Sequence, residues 1–367
     1  MDTKTVLEYQ WPYLASFLAS PEVIEQSARD FGALKRKRRV DSASKLLRLA
    51  FAYGFCGLSL RQTAAWAEAC GVASLSDVAL LKRLRSASDW LGYLLAVKLA
   101  ERASPPQSSA RRLRIVDATS VSGPASAGTD WRVHLGFELT GRTIDHIEVT
   151  DAKGGETFRR FAFRPGDLVL ADRGYAHRHG LLRVLQAGAD FVIRVPWSNL
   201  PLRHRNQEPF DLFAFLRSLP EGQPGDCDVE VKADPRRQLP AFAARIVAVR
   251  KSEAAADQTR HKLSRKAVKR GNLPDPRSLE AAAYVILLTS LEGSALPPAQ
   301  VLDLYRFRWQ VEIAFKRLKG LLQLGAMPAQ DPSLARTILY SKLLAALLLD
   351  DFTSAFLSFS PWGFRLR

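Results

Sequence analysis

Apolar and aromatic residues fall at 46, 47, 49, 51, 53 and 55 along residues 42–55, a density that predicts a buried helix. Gly57 stops that helix and Ser59 caps the next, over 60–69. Gly71 breaks the second helix, and Ser74, Leu75, Ser76 and Asp77 cap a third over 78–85. Helix, short glycine turn, helix is the pattern of helix-turn-helix modules. Lys82, Arg83 and Arg85 lie in the third helix, although a plain helical bundle with a solvated basic face fits the same pattern. Residues 1–107 are therefore expected to form a helical DNA-binding domain, closed by the Pro/Ser-rich stretch 104–109.

Past that stretch the pattern shortens to strands, at 113–118, 131–139, 146–150 and 167–171, followed by a helix over 177–187 and a strand over 190–195. Glycines at 123, 128, 141, 154 and 155 separate the early strands. The order predicts the first part of an α/β core, residues 108–195, with a mixed sheet flanked by helices. From 196 to 281, prolines at 201, 209, 220, 224, 235 and 240 divide β-like pieces at 227–233 and 242–250. A cationic helix follows over 258–270, ended by Gly271 and Asn272. This segment is expected as a mainly β insertion. The second part of the core, 282–367, would hold a strand over 284–291, a helix opened by Pro297 and Pro298 that runs through 305–319, and a strongly apolar helix over 333–354.

Composition changes this picture in one respect. With 47% hydrophobic and 25% charged residues, a chain of 367 residues is ordinary globular material for two or three domains. Its charge is not ordinary: 53 Lys+Arg against 37 Asp+Glu leave +16, with a pI near 10.0. Such an excess favours a polyanionic partner, most simply nucleic acid. The cations are clustered, in Lys35, Arg36, Lys37, Arg38 and Arg39 and again in Arg260, Lys262, Arg265, Lys266, Lys269 and Arg270. On a helix, Lys262, Arg265, Lys266 and Lys269 share overlapping faces, where several phosphate contacts would make DNA binding steeply salt-dependent; a solvated charged helix is the alternative. No membrane is expected, because the most apolar stretch, 338–349, is too short to span one and carries Lys342. Cys56, Cys70 and Cys227 form no C-x-x-C pair, which argues against structural zinc or a disulfide framework and for a reducing, cytoplasmic location.

The candidate chemistry lies in Tyr305, Arg308, Glu312 and Lys319. On a helix these offsets place one carboxylate, two cations and a phenol within a sector of about 60°, along about 21 Å. Upstream, Asp117 and Asp172 each end an apolar run. An aspartate there is more often a turn or cap than a ligand, but the triple beside this rail is much harder to obtain by accident. Three carboxylates from separate elements suit hard divalent ions. Two Mg²⁺ ions about 4 Å apart can activate the attacking oxygen and stabilise the leaving oxygen of an in-line displacement at phosphorus. Asp130 is an alternative carboxylate ranked below Asp117, and Asp151 and Asp167 read as turn residues. Arg173 and Tyr175 either touch phosphate or pack, and His177 and His179 lack the further Cys/His partners a metal site needs.

The spacing Tyr305, Arg308, Glu312, Lys319 resembles the Tyr-Arg-Glu-Lys signature of a large group of bacterial insertion-sequence transposases of the Asp-Asp-Glu type. The runs Val116-Asp117-Ala118-Thr119 and Ala171-Asp172-Arg173-Gly174-Tyr175 resemble that group's first and second motifs. The resemblance covers roughly residues 35 to 345. It implies a ribonuclease-H-like core interrupted by a mainly β insertion, with Asp117, Asp172 and Glu312 binding two Mg²⁺ ions, for which Mn²⁺ substitutes. It further implies that Tyr305, Arg308 and Lys319 grip transposon-end DNA, with Arg308 and Lys319 on phosphates. Trp309 matches an aromatic that in some relatives holds a flipped base, while core packing is its other reading. Arg173 is counted with the DNA contacts. The activity implied is cleavage of the element's terminal inverted repeats to 3′-OH ends and their joining to target DNA by transesterification. Double-stranded DNA and a second copy, in a homodimeric synaptic complex, are the partners implied, in a bacterial cytoplasm at the nucleoid. The alternative is a truncated or domesticated relative that binds transposon ends without catalysis. The close of the chain at Arg367 is short for the group and leaves its C-terminal dimerisation or DNA-contact region unaccounted for.

Overall fold

The computed structural model describes residues 11–35, 38–102, 111–126, 128–139, 143–294, 296–323 and 327–358; the side chains of 102, 309–319, 321 and 353–358 lie outside the description. Arg36 and Lys37 of the first cationic block are also outside it.

Six helices come first: α1 (Trp11–Ser16), α2 (Pro21–Asp30), α3 (Ala43–Gly54), α4 (Leu60–Ala69), α5 (Asp77–Ser86) and α6 (Ser88–Arg102). Their starts are set by local chemistry. Ser20, Ser42, Ser59 and Ser76 each accept a hydrogen bond from a backbone N–H in the first turn, and Ser59 with Gln62 makes a reciprocal capping box. Gly57 and Gly71, both at positive φ, form the turns that end α3 and α4.

These helices do not close a core alone. The last helix, α12 (Pro332–Ser358), packs against α3, α5 and α6, and its Leu339, Leu344 and Leu347 are fully buried with Leu46, Leu80 and Trp90. Each such leucine contributes about 1.5–3 kcal/mol of burial. Gly54 lets α3 and α12 touch, since a methyl there would stand 2.8 Å from Ser341 Cβ and 3.2 Å from Ile338 Cα. Thr337 Oγ1 donates to the Leu84 carbonyl at 2.7 Å, which pins α12 to α5. The span Pro332–Phe352 is long and apolar enough to cross a bilayer, but 72% of it is buried within the protein.

A nine-stranded sheet forms the rest, in the order β3-β2-β1-β4-β5-β9-β8-β7-β6. The strands are β1 (Leu113–Val121), β2 (Trp131–Glu138), β3 (Thr143–Asp151), β4 (Leu168–Ala171), β5 (Asp190–Arg194), β6 (Leu202–Arg203), β7 (Pro224–Val231), β8 (Phe242–Arg250) and β9 (Tyr284–Thr289). β1, β2 and β3 form an antiparallel meander, β1, β4 and β5 run parallel, and β9 joins β5 and β8 antiparallel to both. Thus the segment 196–281 supplies three strands to the edge of the same continuous sheet. It also carries helices α8 (Leu212–Arg217), α9 (Glu253–Val268) and α10 (Pro276–Ala281).

One face of the meander, with Val133, Leu135 and Ile147, closes the core of the N-terminal helices and α12. Helix α7 (Arg178–Gln186) covers the opposite face with Phe158, Phe161 and Tyr175. Helix α11 (Pro298–Leu321) lies over β4, β5, β7 and β8, burying Val301 and Leu302 against Ile115, Leu170 and Leu287.

Candidate active site

The parallel register pairs Ile115 of β1 with Leu170 of β4. Asp117, in the middle of β1, and Asp172, the first residue past β4, follow two positions later, so the two carboxylates stand side by side on the face that α11 covers. Asp172 also accepts the Gly174 N–H at 2.8 Å and so caps a single 3₁₀ turn, Arg173–Tyr175. Asp117 takes the Ala118 N–H at 2.8 Å. Burial pushes the Asp117 carboxyl up to about 7; Asp172 and Glu156 push the same way, against the Ala118 hydrogen bond and Arg308. A carboxyl this averse to carrying its charge is suited to a cation that supplies the missing positive partner.

Helix α11 brings Tyr305 and Arg308 to these carboxylates. The Arg308 guanidinium lies 5.3 Å from the Tyr305 ring centroid, and burial raises the Tyr305 hydroxyl above its ordinary range. Both line a cleft of about 500 Å³ together with Arg194, Arg306, Val249, Val285 and Leu302. Arg194 ends β5 and also lines a second cleft of about 170 Å³, beside Arg173, Trp197, Thr259 and Leu263. Burial, then Arg173 and Arg308, lower the Arg194 guanidinium from its usual value, while Tyr305 and Asp172 favour its charge. Lys251 adds a further cation: burial first, then Arg194 and Arg173, bring it down to about 8, and it donates to the Ala282 carbonyl at 2.6 Å.

The sequence candidates fall into three groups. Asp117, Asp172, Tyr305, Arg308 and Arg173 gather at one end of the sheet. Trp309, Glu312 and Lys319 lie on α11 downstream of Arg308, but their side chains are outside the described residues. Lys262, Arg265, Lys266 and Lys269 sit on the exposed C-terminal half of α9 and just past it, and line neither cleft. Arg260, in the same cationic run, is neutralised by Glu253 and Asp257 at 2.5 and 2.7 Å.

Other expectations resolve locally. Tyr175 packs, fully buried, with ring centroids 5.1 Å from Phe158 and 6.2 Å from Phe161. Asp130 accepts the Gly123 N–H at 2.6 Å and holds a hairpin. Asp167 is more than a turn residue. It accepts the Arg164 N–H at 3.0 Å, but it is also buried against Arg112, whose Nε and Nη2 reach it at 2.7 and 2.6 Å. A turn reading from neighbouring residues could not foresee a partner 55 positions away.

Sequence reasoning missed Glu156, Arg194 and Lys251. Arg194 had a signal, since it ends an apolar strand as Asp172 does. Glu156 had only the glycine pair before it. Among the described residues no three Asp, Glu, His or Cys side chains come close enough to hold one ion together. Those residues supply the Asp117–Asp172 pair, and the donor chemistry, hard carboxylate oxygen in a buried setting, fits a divalent cation of the Mg²⁺ class.

Comparison with known proteins bears on this arrangement directly. Residues 108–348 match the family model described as the transposase DDE domain. The chain is 41% identical over 354 residues to the InsL protein of insertion sequence element IS186A of Escherichia coli, covering 96% of each chain. It is equally 41% identical, over 355 residues and 96% of each chain, to the transposase for insertion sequence element IS421 of Escherichia coli. The transposase for IS231D of Bacillus thuringiensis subsp. finitimus is 24% identical over 90% of this chain and 77% of its own length. With Asp117 of β1 and Asp172 just past β4 side by side inside the matched region, the chain belongs to the family of insertion-sequence transposases built on the transposase DDE domain.

Proposed function

We propose that the chain binds the terminal inverted repeats of its own insertion sequence, cuts them to 3′-OH ends and joins those ends to target DNA, with two divalent ions in one active site. The observation that carries this reading is the side-by-side placement of Asp117 and Asp172, with Arg308 and Tyr305 of α11 set against them. The order β3-β2-β1-β4-β5, an antiparallel meander followed by parallel strands, supports a ribonuclease-H-like core for 108–195 and 282–367. The segment 196–281 is then an insertion that extends its sheet.

Asp117 and Asp172 would hold the ions, with Glu312 as the third carboxylate. When bound, Mg²⁺ (or Mn²⁺ in its place) supplies charge neutralisation at the phosphodiester and a more acidic attacking hydroxyl or water. The protein's own part is placement. Arg308 and Lys319 hold phosphates of the transposon end, Tyr305 and Arg173 orient the strand beside them, and Trp309 is the stacking candidate for an extruded base. Each step is an in-line attack on a phosphodiester, so one site serves cleavage and joining. The exposed cations Lys262, Arg265, Lys266 and Lys269 would add sequence-independent contacts to the duplex. Helices α4 and α5 would recognise the ends, and two copies would pair them in the synaptic complex. Substrate and protein meet in the bacterial cytoplasm, at the nucleoid.

The test is cleavage of a plasmid carrying the DNA that flanks this gene, in Mg²⁺, with wild type and Glu312→Gln side by side. Cuts at the element ends by wild type alone are expected. Binding of the ends by wild type without cuts in Mg²⁺ or Mn²⁺ would replace this reading with that of a non-catalytic end-binding relative.

A further inference from the structure

One acidic side chain at the site has no place in the three-carboxylate scheme. Glu156 follows β3 in the loop Gly154-Gly155-Glu156, which returns the chain across the carboxylate end of the sheet. Gly154 is required there because a side chain would collide with Thr150 Oγ1. The Glu156 carboxylate lies over Gly174, so closely that a methyl on Gly174 would take its place, and that same methyl would stand 3.1 Å from Asp172 Oδ1. Glu156 and Asp172 are therefore neighbours across a glycine that leaves room for both. Two half-buried carboxylates this close repel each other unless a cation stands between or beside them.

A second, independent observation points to a ligand. Tyr175 is fully buried, and its hydroxyl has no hydrogen-bond partner. Tyr175 closes the 3₁₀ turn that Asp172 caps, its N–H donating to the Asp172 carbonyl at 3.2 Å. A buried hydroxyl left without a partner costs about 1–3 kcal/mol, and its natural partner here is the water shell of a bound cation.

We propose that Glu156 is a positioning residue of the cation site, which strengthens divalent-ion binding at Asp172 through the ion's field and water shell while Tyr175 closes that shell from below. The inference rests on the metal-dependent reading above. Because no three described donors can share one ion, Glu156 acts through Asp172 and bound water rather than as a third direct ligand.

Mn²⁺ binding to the full-length protein without DNA, by calorimetry at pH 8, tests this with wild type, Asp172→Asn, Glu156→Gln and Glu156→Ala. The metal-free melting temperature of each is measured in parallel. Wild type is expected to bind, Asp172→Asn to lose binding, and both Glu156 variants to bind about tenfold more weakly. Their metal-free melting temperatures should equal or exceed wild type, since one of the repelling charges is gone. Wild-type affinity in both Glu156 variants overturns the proposal, and so does weaker binding accompanied by a lower metal-free melting temperature, which assigns Glu156 to the fold. Absence of Mn²⁺ binding by wild type removes the metal-dependent reading itself, and this inference with it.

Discussion

The strands β1 and β4 carry buried charge at both ends, handled in opposite ways. At the end where β1 begins, Arg112 and Arg114 meet Asp167 and Asp145: Arg112 Nη2 reaches Asp167 Oδ2 at 2.6 Å, and Arg114 Nε reaches Asp145 Oδ2 at 2.7 Å. Arg114 also donates to the Ala162 carbonyl at 2.7 Å and lies over the Phe163 ring. All four side chains are 11% exposed or less, and each anion has its cation within the fold. At the far end Asp117, Asp172 and Glu156 crowd together, with the charge of Arg308 opposing at Asp117 and that of Arg132 at Glu156. Burying charge is expensive unless it is paired. The paired end therefore needs nothing from outside, whereas at the other end burial and mutual repulsion hold the Asp117 and Glu156 carboxyls above their ordinary values. That difference separates a structural clamp from the proposed metal site, although both are built of carboxylates and arginines around the same two strands.

The largest effect should come from breaking the open end. Asp172→Asn and Asp117→Asn are each expected to lower strand cleavage by at least a thousandfold, on the order of 4 kcal/mol, in a gel assay of end cleavage. Neither should lower the metal-free melting temperature. Breaking the closed end should do the reverse. Arg114→Met leaves Asp145 with the longer contact to Arg112, at 3.6 Å, and is expected to cost about 3 kcal/mol of folding stability in urea titration. At permissive temperature the folded fraction should still cleave.

A third test uses pH. His134 and His146, on β2 and β3, are held down to about 4, in each case by burial first and then by neighbouring charge, chiefly Arg160 for one and Arg114 for the other. Both lie below the ordinary 6.5, so their contribution is fully present above pH 6.5 and is lost as pH falls toward 4. Asp117 has the opposite sign: with its carboxyl raised to about 7, metal-free stability improves as acid protonates it between pH 7 and 4. Metal-free melting from pH 8 to 4 should therefore show partial cancellation. Asp117→Asn should expose the steeper acid loss of the histidines, and His146→Phe should flatten it. The smallest effect concerns charge left open on purpose at the surface. Replacing Lys262, Arg265, Lys266 and Lys269 by alanine should reduce the slope of log affinity for DNA against log salt by roughly 3–4, with cleavage retained at low salt.

What could be read in advance divides along the same physical line. Helix starts at Ser42, Ser59 and Ser76 were legible because a serine and the next turn's N–H are close in sequence. Asp172 was legible because the end of β4 follows from its apolar run; Asp117 does not end its strand, since pairing with β2 carries β1 on to Val121, a contact the apolar run does not show. The double role of Asp167, the approach of Glu156 to Gly174 and the pairing of β9 with both β5 and β8 depend on contacts between distant residues, which no local pattern encodes. Lys251 was hidden for the same reason, since its carbonyl partner Ala282 is 31 residues on.

The position of β9 has a consequence for the life of the nascent chain. β9 is made after β8, yet it lies between β5 and β8 and is the seam of the whole sheet. While translation has not reached Thr289, β1 to β5 form one unit with an open edge and β6 to β8 another, and nothing joins them. Helix α11, which carries Tyr305 and Arg308, emerges later still, and α12, which seals the core of the first helices, comes last. In this order the aspartates are made early, but α11 and the helix that seals the first core join them only when nearly all of the chain has been synthesised. On the function proposed above, a ribosome-bound fragment would carry the aspartate pair without the helix set against it.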